Sequence, residues 1–178
     1  MSEPRDSLPV KLILSMITSE DGLIEEALER AEDMWGEVDF LSEKLPFNHT
    51  DYYEKEMGRN LFRRIGSFKK LISLESLPAV KHLSKELEDR YLLNHKRRIN
   101  IDPGYIAREK MVMTTFKNFS HRIYLKDKVY ADLTLIYRDK GFRSLEWTFP
   151  DYAVKGMRKL LKDIRESYVS QLSTQDAN

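Results

Sequence analysis

The sequence predicts an α+β protein in which a ferredoxin-like β-α-β-β-α-β unit forms a sandwich with a mainly antiparallel sheet. Two helical stripes of apolar residues, near residues 23–35 and 78–91, alternate with apolar segments of strand length. A C-terminal β-meander and a long terminal helix are expected to extend this unit. A chain of 178 residues has the size of one domain. We therefore expect a single domain over residues 9–172, with flexible ends at residues 1–8 and 173–178.

The first strand and helix have clear signals. Residues 10–17 form an almost wholly apolar run, which is typical of a central strand. Thr18 and Asp21 then have the spacing of a capping box, and apolar side chains recur at helical intervals until Gly36. These signals predict a helix that begins near Asp21 and ends at Gly36. Residues 38–42 alternate weakly and are predicted to form a second strand.

The remaining elements of this unit follow from residues 61–104. Residues 61–72 carry apolar side chains among basic ones and are predicted to form a strand. Pro78 marks the first turn of a second helix. The next strand, residues 99–102, is expected to stop at Pro103, because proline has no amide hydrogen for a strand ladder and Gly104 opens a turn.

Three further elements are predicted in the C-terminal half. Residues 107–116 are expected to form a short helix and residues 122–147 a meander. Because neighbouring strand residues face opposite sides, Asp132 is expected to point away from the apolar side of the meander. The apolar face of the final helix is predicted to consist of Val154, Met157, Leu160, Leu161, Ile164 and Tyr168.

Composition excludes several classes of function. The chain has no cysteine, so it has no disulfide, no thiolate nucleophile and no Cys-ligated metal, and any metal ligand must be oxygen or histidine. Its formal charge of +1 is a smaller basic excess than general polyanion binders show, so we expect no nucleic-acid partner. No apolar run reaches the roughly 18 residues of a membrane span, and no leader peptide is visible. We therefore expect no membrane partner and a cytoplasmic protein.

Four segments combine polar and aromatic side chains, at residues 47–58, 100–105, 120–125 and 147–152. Such segments, scattered along a chain, are hard to explain as independent turns. We therefore expect them to meet in space and form one site.

These segments also resemble a known family, small bacterial proteins catalogued as domain of unknown function 4416. The matching motifs are KLI at residues 11–13, Phe47, TDYYEKEMG at 50–58, NIDPGY at 100–105, SHRIYL at 120–125, YADLTL at 130–135 and WTFPDY at 147–152. The resemblance covers nearly the whole chain and implies no activity, because the family is functionally uncharacterised. Its members tend to have glutamate at the position of Asp132. Some carry a GTP-binding label, but no segment here matches the P-loop pattern G-x-x-x-x-G-K-[ST].

Asp51 and Glu54 are the candidate metal ligands. They are three residues apart, so at the start of a helix both carboxylates project from one side and suit Mg²⁺ or another divalent cation. The same spacing also fits a capping box that stabilises the helix start. The sequence leaves both interpretations open, and the cofactor is otherwise unknown.

His121 is the leading catalytic candidate, with Asp102 and Asp132 as carboxylate partners, because imidazole exchanges protons near neutral pH. Arg122 is a candidate phosphate ligand, although it alternates to the opposite face from His121 in a regular strand. His121 has an equally simple structural interpretation, and Asp102 also fits a role in bonding its own turn.

Further candidate ligand-binding residues are Tyr52, Tyr105, Trp147 and Asp151. For Tyr105 the alternative is a place in the core, and for Asp151 it is the first turn of the final helix. The sequence also contains basic residues that suit a phosphate-binding strip, although such runs are usually solvated. Its members would be Arg63, Arg64, Lys69, Lys70, Lys96, Arg97 and Arg98.

Three hypotheses follow. The first is a small enzyme that acts on a phosphate-containing small molecule through a carboxylate/His site, with or without a divalent metal. The second is a non-catalytic nucleotide or metabolite-binding module, in which aromatic rings stack on the ligand. The third is a protein–protein assembly factor, which includes a homo-oligomer. The first predicts that acids and His121 converge in one cleft, whereas the third predicts a flat aromatic patch; we favour the first.

Overall fold

The computed structural model describes Glu3 and residues 6–175, which contain nine strands and five α-helices. In chain order these are β1 (Lys11–Thr18), α1 (Leu23–Trp35), β2 (Val38–Leu41), β3 (Leu45–Pro46), α2 (Glu54–Met57), β4 (Phe62–Phe68), α3 (Leu77–Asp89), β5 (Ile99–Ile106), β6 (Lys110–Thr115), β7 (Arg122–Lys126), β8 (Val129–Arg138), β9 (Gly141–Ser144), α4 (Pro150–Ala153) and α5 (Lys155–Gln175). The predicted flexible ends fall partly on residues 1, 2, 4, 5 and 176–178, which lie outside the described residues.

All nine strands join one sheet, and every described pairing is antiparallel. The strand order is β2-β4-β1-β5-β6-β8-β7, with β3 also beside β4 and β9 also beside β8. The predicted α+β class and the mainly antiparallel sheet are therefore confirmed.

One face of the sheet packs against α1 and α3. Leu12, Leu14 and Met16 of the central strand β1 are fully buried in this layer. The two helical stripes predicted from the sequence supply the opposing side chains, so both helices are confirmed. The predicted cap at Thr18 is wrong, because this residue lies in β1 and its hydroxyl donates to the Arg98 carbonyl.

The other face of the sheet packs against α4 and α5. Its apolar cluster joins Ile13 of β1 to Met157, Leu161 and Ile164 of α5. These three residues belong to the stripe predicted for the terminal helix. Val154 precedes the helix and is exposed, so it is not part of that stripe. None of the helices within residues 6–175 is both long and apolar enough to cross a membrane.

Two local predictions are wrong. Residues 110–115 form strand β6 instead of a helix, because this apolar run lies between two paired strands and is buried on both faces. Strand β5 does not stop at Pro103 but continues to Ile106. Gly104 permits this continuation, because a Cβ there would lie 2.5 Å from Sδ of Met113 and still closer to the Val112 carbonyl oxygen.

The sheet opens between β5 and β6. The two strands pair only from Gly104 with Met113 to Ile106 with Met111. Before Gly104, β5 pairs with β1 alone, whereas β6 continues along β8. Pro103 cannot donate a ladder hydrogen bond, and Thr114 Oγ1 donates to its carbonyl at 2.7 Å instead. The strands therefore diverge beside Asp102.

Candidate functional site

A cavity of about 630 Å³ lies where β5 and β6 diverge, which is a volume typical of small-molecule sites. Strands β4 to β8, helix α3, the segment before α2 and the start of α4 all contribute to its walls. Its charged lining consists of Arg63, Lys81, Lys85, Arg97, Lys117, Arg122, Glu88, Asp102, Asp132 and Asp151. Its aromatic lining consists of Phe47, Tyr52, Tyr53, Phe116, Phe149 and Tyr152.

Asp102 forms the first charged centre of the cavity. Lys81 Nζ donates to Asp102 Oδ1 at 2.7 Å, and Asn100 Nδ2 donates to Asp102 Oδ2 at 2.7 Å. Burial alone would raise the pKa of Asp102. The charge and hydrogen bond of Lys81, the hydrogen bond of Asn100 and the charge of Arg63 outweigh burial and hold that pKa below its ordinary value. Asp102 is therefore a carboxylate near neutral pH.

Arg63 forms the second centre, in the wall between the cavity and the core. Its guanidinium lies between the rings of Phe47 and Tyr152, at 5.0 and 4.6 Å from their centroids. Its Nη2 contacts Asp151 Oδ2 at 2.7 Å. The residue is only 7% exposed, and its buried Nε and Nη1 have no hydrogen-bond partner in the described part of the chain. Arg63 thus lines the cavity and carries two buried nitrogens whose N–H groups are unpaired within the described residues.

Three of the predicted residues, His121, Arg122 and Asp132, form the third centre. Arg122 Nε donates to Asp132 Oδ2 at 2.9 Å, and His121 Nε2 lies 3.2 Å from the same oxygen. The imidazole stacks on Trp147 with 5.2 Å between centroids and 11° between planes, and the indole Nε1 donates to the Leu133 carbonyl at 2.8 Å. His121 and Arg122 reach one acid because His121 precedes the regular part of β7.

Glu88 is the fourth acidic residue in the lining, and its surroundings differ from those of the other three. It is only 3% exposed. Burial, together with the charge of Asp102, raises the pKa of Glu88 to about 7, against the opposing effects of Lys81, the Ile101 backbone amide and Arg97. Glu88 therefore changes its charge near physiological pH.

Lys117 and Tyr52 form part of the rim. Lys117 Nζ donates to the Tyr52 hydroxyl at 2.7 Å and lies 4.7 Å from the centroid of its ring. This hydrogen bond and the positive charge of Lys117 lower the pKa of Tyr52. Nearby, Arg97 donates to Glu56 at 2.5 Å and to Asn100 at 3.1 Å.

The structure brings together residues from all four polar aromatic segments. The cavity is lined by five predicted site residues, Tyr52, Asp102, Arg122, Asp132 and Asp151. His49 lines the cavity as well. His121 and Trp147 do not line it and lie behind Asp132.

The other predicted residues lie elsewhere. Tyr105 is buried in an apolar cluster with Val10 and Val112. Asp51 and Glu54 do not line the cavity, and the Glu54 carboxylate lies 3.8 Å from Arg59. Among the described residues, no group of three or more His, Asp or Glu side chains is placed to hold a metal ion.

Sequence reasoning missed Lys81 and Glu88. Together with Ser84 they occupy positions i, i+3 and i+7 of α3, so all three lie on one helical face, and all are buried. Buried polar residues at the spacing of an apolar stripe are the signal that would have found them. The residues of the predicted basic strip fall into two groups. Arg63 and Arg97 line the cavity, whereas Arg64, Lys69 and Arg98 pair with Glu25, Glu37 and Glu20.

The sheet also has an apolar edge near this site. β7 is the last strand of the sheet, and no strand in residues 6–175 pairs with its outer side. Ile123 is 70% exposed, and Tyr124 and Leu125 beside it are also exposed. Phe119 and Phe149 add two further exposed rings.

The fold and the cavity define an α+β protein with a charged, concave site. Residues 8–168 match the family described as Domain of unknown function (DUF4416), so the chain belongs to that family. No curated protein and no solved structure matches the chain.

Proposed function

We propose that the cavity binds a small phosphate-containing molecule and that the protein is an enzyme acting on that molecule. The observation that carries this proposal is Arg63, which lines the cavity and whose buried Nε and Nη1 have no partner among the described residues. Leaving buried donors unpaired typically costs about 1 to 3 kcal/mol per group, so a ligand that accepts from them recovers that free energy. A guanidinium fork matches phosphate oxygens in both charge and geometry.

The charge of the lining supports an anionic ligand. Six cationic side chains face four acidic ones. Three of the acids, Asp102, Asp132 and Asp151, already contact Lys81, Arg122 and Arg63. Of the other three cations, Arg97 and Lys85 pair with Glu56 and Asp89 outside the lining. Lys117 pairs with no acid among the described residues and is therefore the cation that can attract an anion.

The aromatic residues support a ligand that is larger than a free phosphate ion. A volume of about 630 Å³ greatly exceeds that of one phosphate ion and fits a drug-sized molecule. Tyr52 and Phe149 are exposed, so each offers a ring against which a planar group can pack. Tyr152 is buried and Tyr53 is half-buried at the site, and burial raises both pKa values, that of Tyr152 to about 12. These two phenols therefore remain neutral hydrogen-bonding groups.

The acids supply the chemistry that makes an enzyme. Asp102 is a carboxylate fixed by two hydrogen bonds, and Glu88 titrates near neutral pH beside it. Two acids whose pKa values are displaced in opposite directions are a common arrangement for proton transfer. For His121 we propose a role other than the predicted catalytic one, because its Nε2 contacts Asp132 and the residue does not line the cavity. We assign it a positioning role.

We also propose that the first part of the chain forms a ferredoxin-like unit that a C-terminal meander extends. The order β2-β4-β1-β5, with α1 and α3 on one face, supports a ferredoxin-like unit. Strands β7, β8 and β9 pair in succession around β8 and support the predicted meander. In this arrangement the cavity lies where the first unit meets the C-terminal strands.

A thermal-shift assay with phosphate, pyrophosphate and a nucleoside monophosphate tests ligand binding. A ligand at about 100 times its Kd adds about 2.7 kcal/mol to the stability of the folded state. We expect the wild-type protein to be stabilised by at least one of these anions. The double variant Arg63→Met, Asp151→Asn removes both members of the ion pair, so neither charge is left alone, and should lose this stabilisation.

Arg64→Met is the matched control. Arg64 is the next residue of β4, contacts Glu25 and points to the opposite face of the sheet from Arg63. Ligand stabilisation should persist in this variant. Equal losses in the control and in the double variant, or no stabilisation of the wild-type protein by any of the three anions, would contradict the proposal.

The exposed apolar edge favours a second candidate function, association of two copies through β7. An exposed edge strand offers free backbone hydrogen-bonding groups, and two copies of one edge can pair about a two-fold axis. Light scattering at increasing protein concentration should then show a dimer that Ile123→Lys dissociates. A monomer at every concentration would exclude this function.

A further inference from the structure

We propose that Glu88 is the residue that exchanges a proton with the anion bound in this cavity. This inference rests on the proposed function, because it takes the occupant of the cavity to be a phosphate-like anion. It assigns a catalytic role to a residue of α3 that the sequence motifs do not include.

The geometry singles out Glu88 among the acids of the lining. Asp102, Asp132 and Asp151 each contact a cation at 2.7 to 2.9 Å. Glu88 has no ion-pair partner in the described part of the chain, although it lines the same cavity and is almost fully buried. A buried carboxyl without a counter-ion favours its neutral form and can therefore donate a proton.

The groups facing Glu88 determine when it is neutral. Asp102 on β5 disfavours the carboxylate, whereas Lys81 on the same helix, Arg97 before β5 and the Ile101 backbone amide favour it. The balance raises the pKa of Glu88 to about 7. A dianion entering the cavity adds negative charge and disfavours the carboxylate further. Glu88 should therefore take up a proton as the anion binds.

The proton transfer balances within the site. The O–H bond of Glu88 breaks while an O–H bond forms on an oxygen of the bound anion. Glu88 is left as a carboxylate, which Lys81 and Arg97 stabilise, and it regains a proton from hydronium or buffer acid in the solvent after the protonated anion leaves. No other reactant is required.

Calorimetry with sulfate measures this proton uptake. Sulfate has the tetrahedral shape and the charge of phosphate but does not itself titrate near neutral pH, so any proton taken up belongs to the protein. Titrations at pH 7.5 and constant ionic strength, in two buffers with different ionisation enthalpies, give the number of protons taken up per sulfate. We expect a substantial fraction of one proton for the wild-type protein.

Two variants test whether Glu88 is the group that takes up this proton. Glu88→Gln should bind sulfate at least as tightly as the wild-type protein and should take up no proton at that pH. Glu86→Gln, an exposed position two residues away on the same helix, should behave as the wild-type protein does. Proton uptake that persists in Glu88→Gln, or sulfate binding by the wild-type protein without proton uptake, would overturn the role of Glu88 alone. No sulfate binding by the wild-type protein would overturn both proposals.

The titration of Glu88 can also be measured without a ligand. Carbon-detected NMR of the side-chain carboxyl should show a midpoint near the raised pKa of about 7 in the free protein. A midpoint close to the ordinary glutamate value of about 4.3 would overturn the inference, whatever the calorimetry shows.

Discussion

Lys81 Nζ lies 2.7 Å from Asp102 Oδ1 and joins α3 to β5 at the point where the sheet opens. Both residues line the cavity, so this ion pair is part of its wall. The pair stabilises the carboxylate form of Asp102 and fixes the helix that carries Glu88.

Lys81→Met should lower the free energy of unfolding by about 1 to 3 kcal/mol, because it leaves the half-buried carboxylate of Asp102 without its cation. Asp102 has a lowered pKa, so it adds stability above its ordinary pKa that is lost as pH falls through the lowered value. Without Lys81 the pKa of Asp102 should be higher, so in Lys81→Met the loss of stability on acidification should begin at higher pH. Urea unfolding from pH 3 to pH 7 measures both effects. Lys85→Met is the control, since the exposed pair with Asp89 is worth less than about 1 kcal/mol.

Glu88→Gln should remove a pH dependence that the wild-type protein shows. The pKa of Glu88 is raised to about 7 in the folded state, so the protonated form stabilises the fold. This stability is complete below the ordinary pKa and is lost as pH rises through about 7, with a magnitude on the order of 3 kcal/mol. Unfolding free energies from pH 5 to pH 8 should fall for the wild-type protein relative to Glu88→Gln. If the unfolding free energies of the two proteins changed in parallel with pH, the pKa of Glu88 would not be raised in the folded state.

Gly104→Ala should destabilise the protein by about 1 to 3 kcal/mol, because the added methyl group would meet the Val112 carbonyl and Met113 where β5 and β6 approach each other. Gly156→Ala is the matched control, because its new Cβ would meet no atom within 4 Å beyond its chain neighbours and the backbone of its own helix. Within α5 this second change should be neutral or slightly stabilising. Thermal melts of both variants measure the difference. Equal melting temperatures would show that the strands do not approach each other as closely as described.

His121→Ala should cost about 1 to 3 kcal/mol of stability, because Asp132 loses a buried hydrogen-bond partner and Trp147 loses its stacking partner. Anion binding should be weakened only modestly, since Arg122 still holds Asp132. His49→Ala, at an exposed position of the cavity rim, should leave stability unchanged. A fully stable His121→Ala variant that no longer binds any anion would show that His121 contacts the ligand directly.

Regular periodicity predicted most of the fold from sequence. The stripes of α1, α3 and α5 were visible because each helix buries one face, and β1 was visible because both its faces are buried. The segment that became β6 was misread, since a short apolar run fits a buried strand and a helix equally well. The end of β5 was also predicted wrongly, because a proline can lie in a strand where the hydrogen-bond ladder on one side has ended.

The site was predicted as a set of segments but not as a set of contacts. Asp102, Asp132 and Arg122 were identified because they lie in unusually polar motifs. Glu88 was not identified, because the sequence of α3 has the pattern of an ordinary amphipathic helix. The depth of Arg63 could not be foreseen either, because only the folded chain places Phe47 and Tyr152 on its two sides.

Anion binding at Arg63 can be tested most directly by diffraction from crystals soaked in selenate, whose selenium atom gives an anomalous signal at its own position. The predicted result is an anomalous peak inside the cavity, with selenate oxygens within about 3 Å of Arg63 Nε or Nη1, the usual distance of such hydrogen bonds. A cavity without a peak at a selenate concentration that labels other surface sites would contradict an anion-binding function.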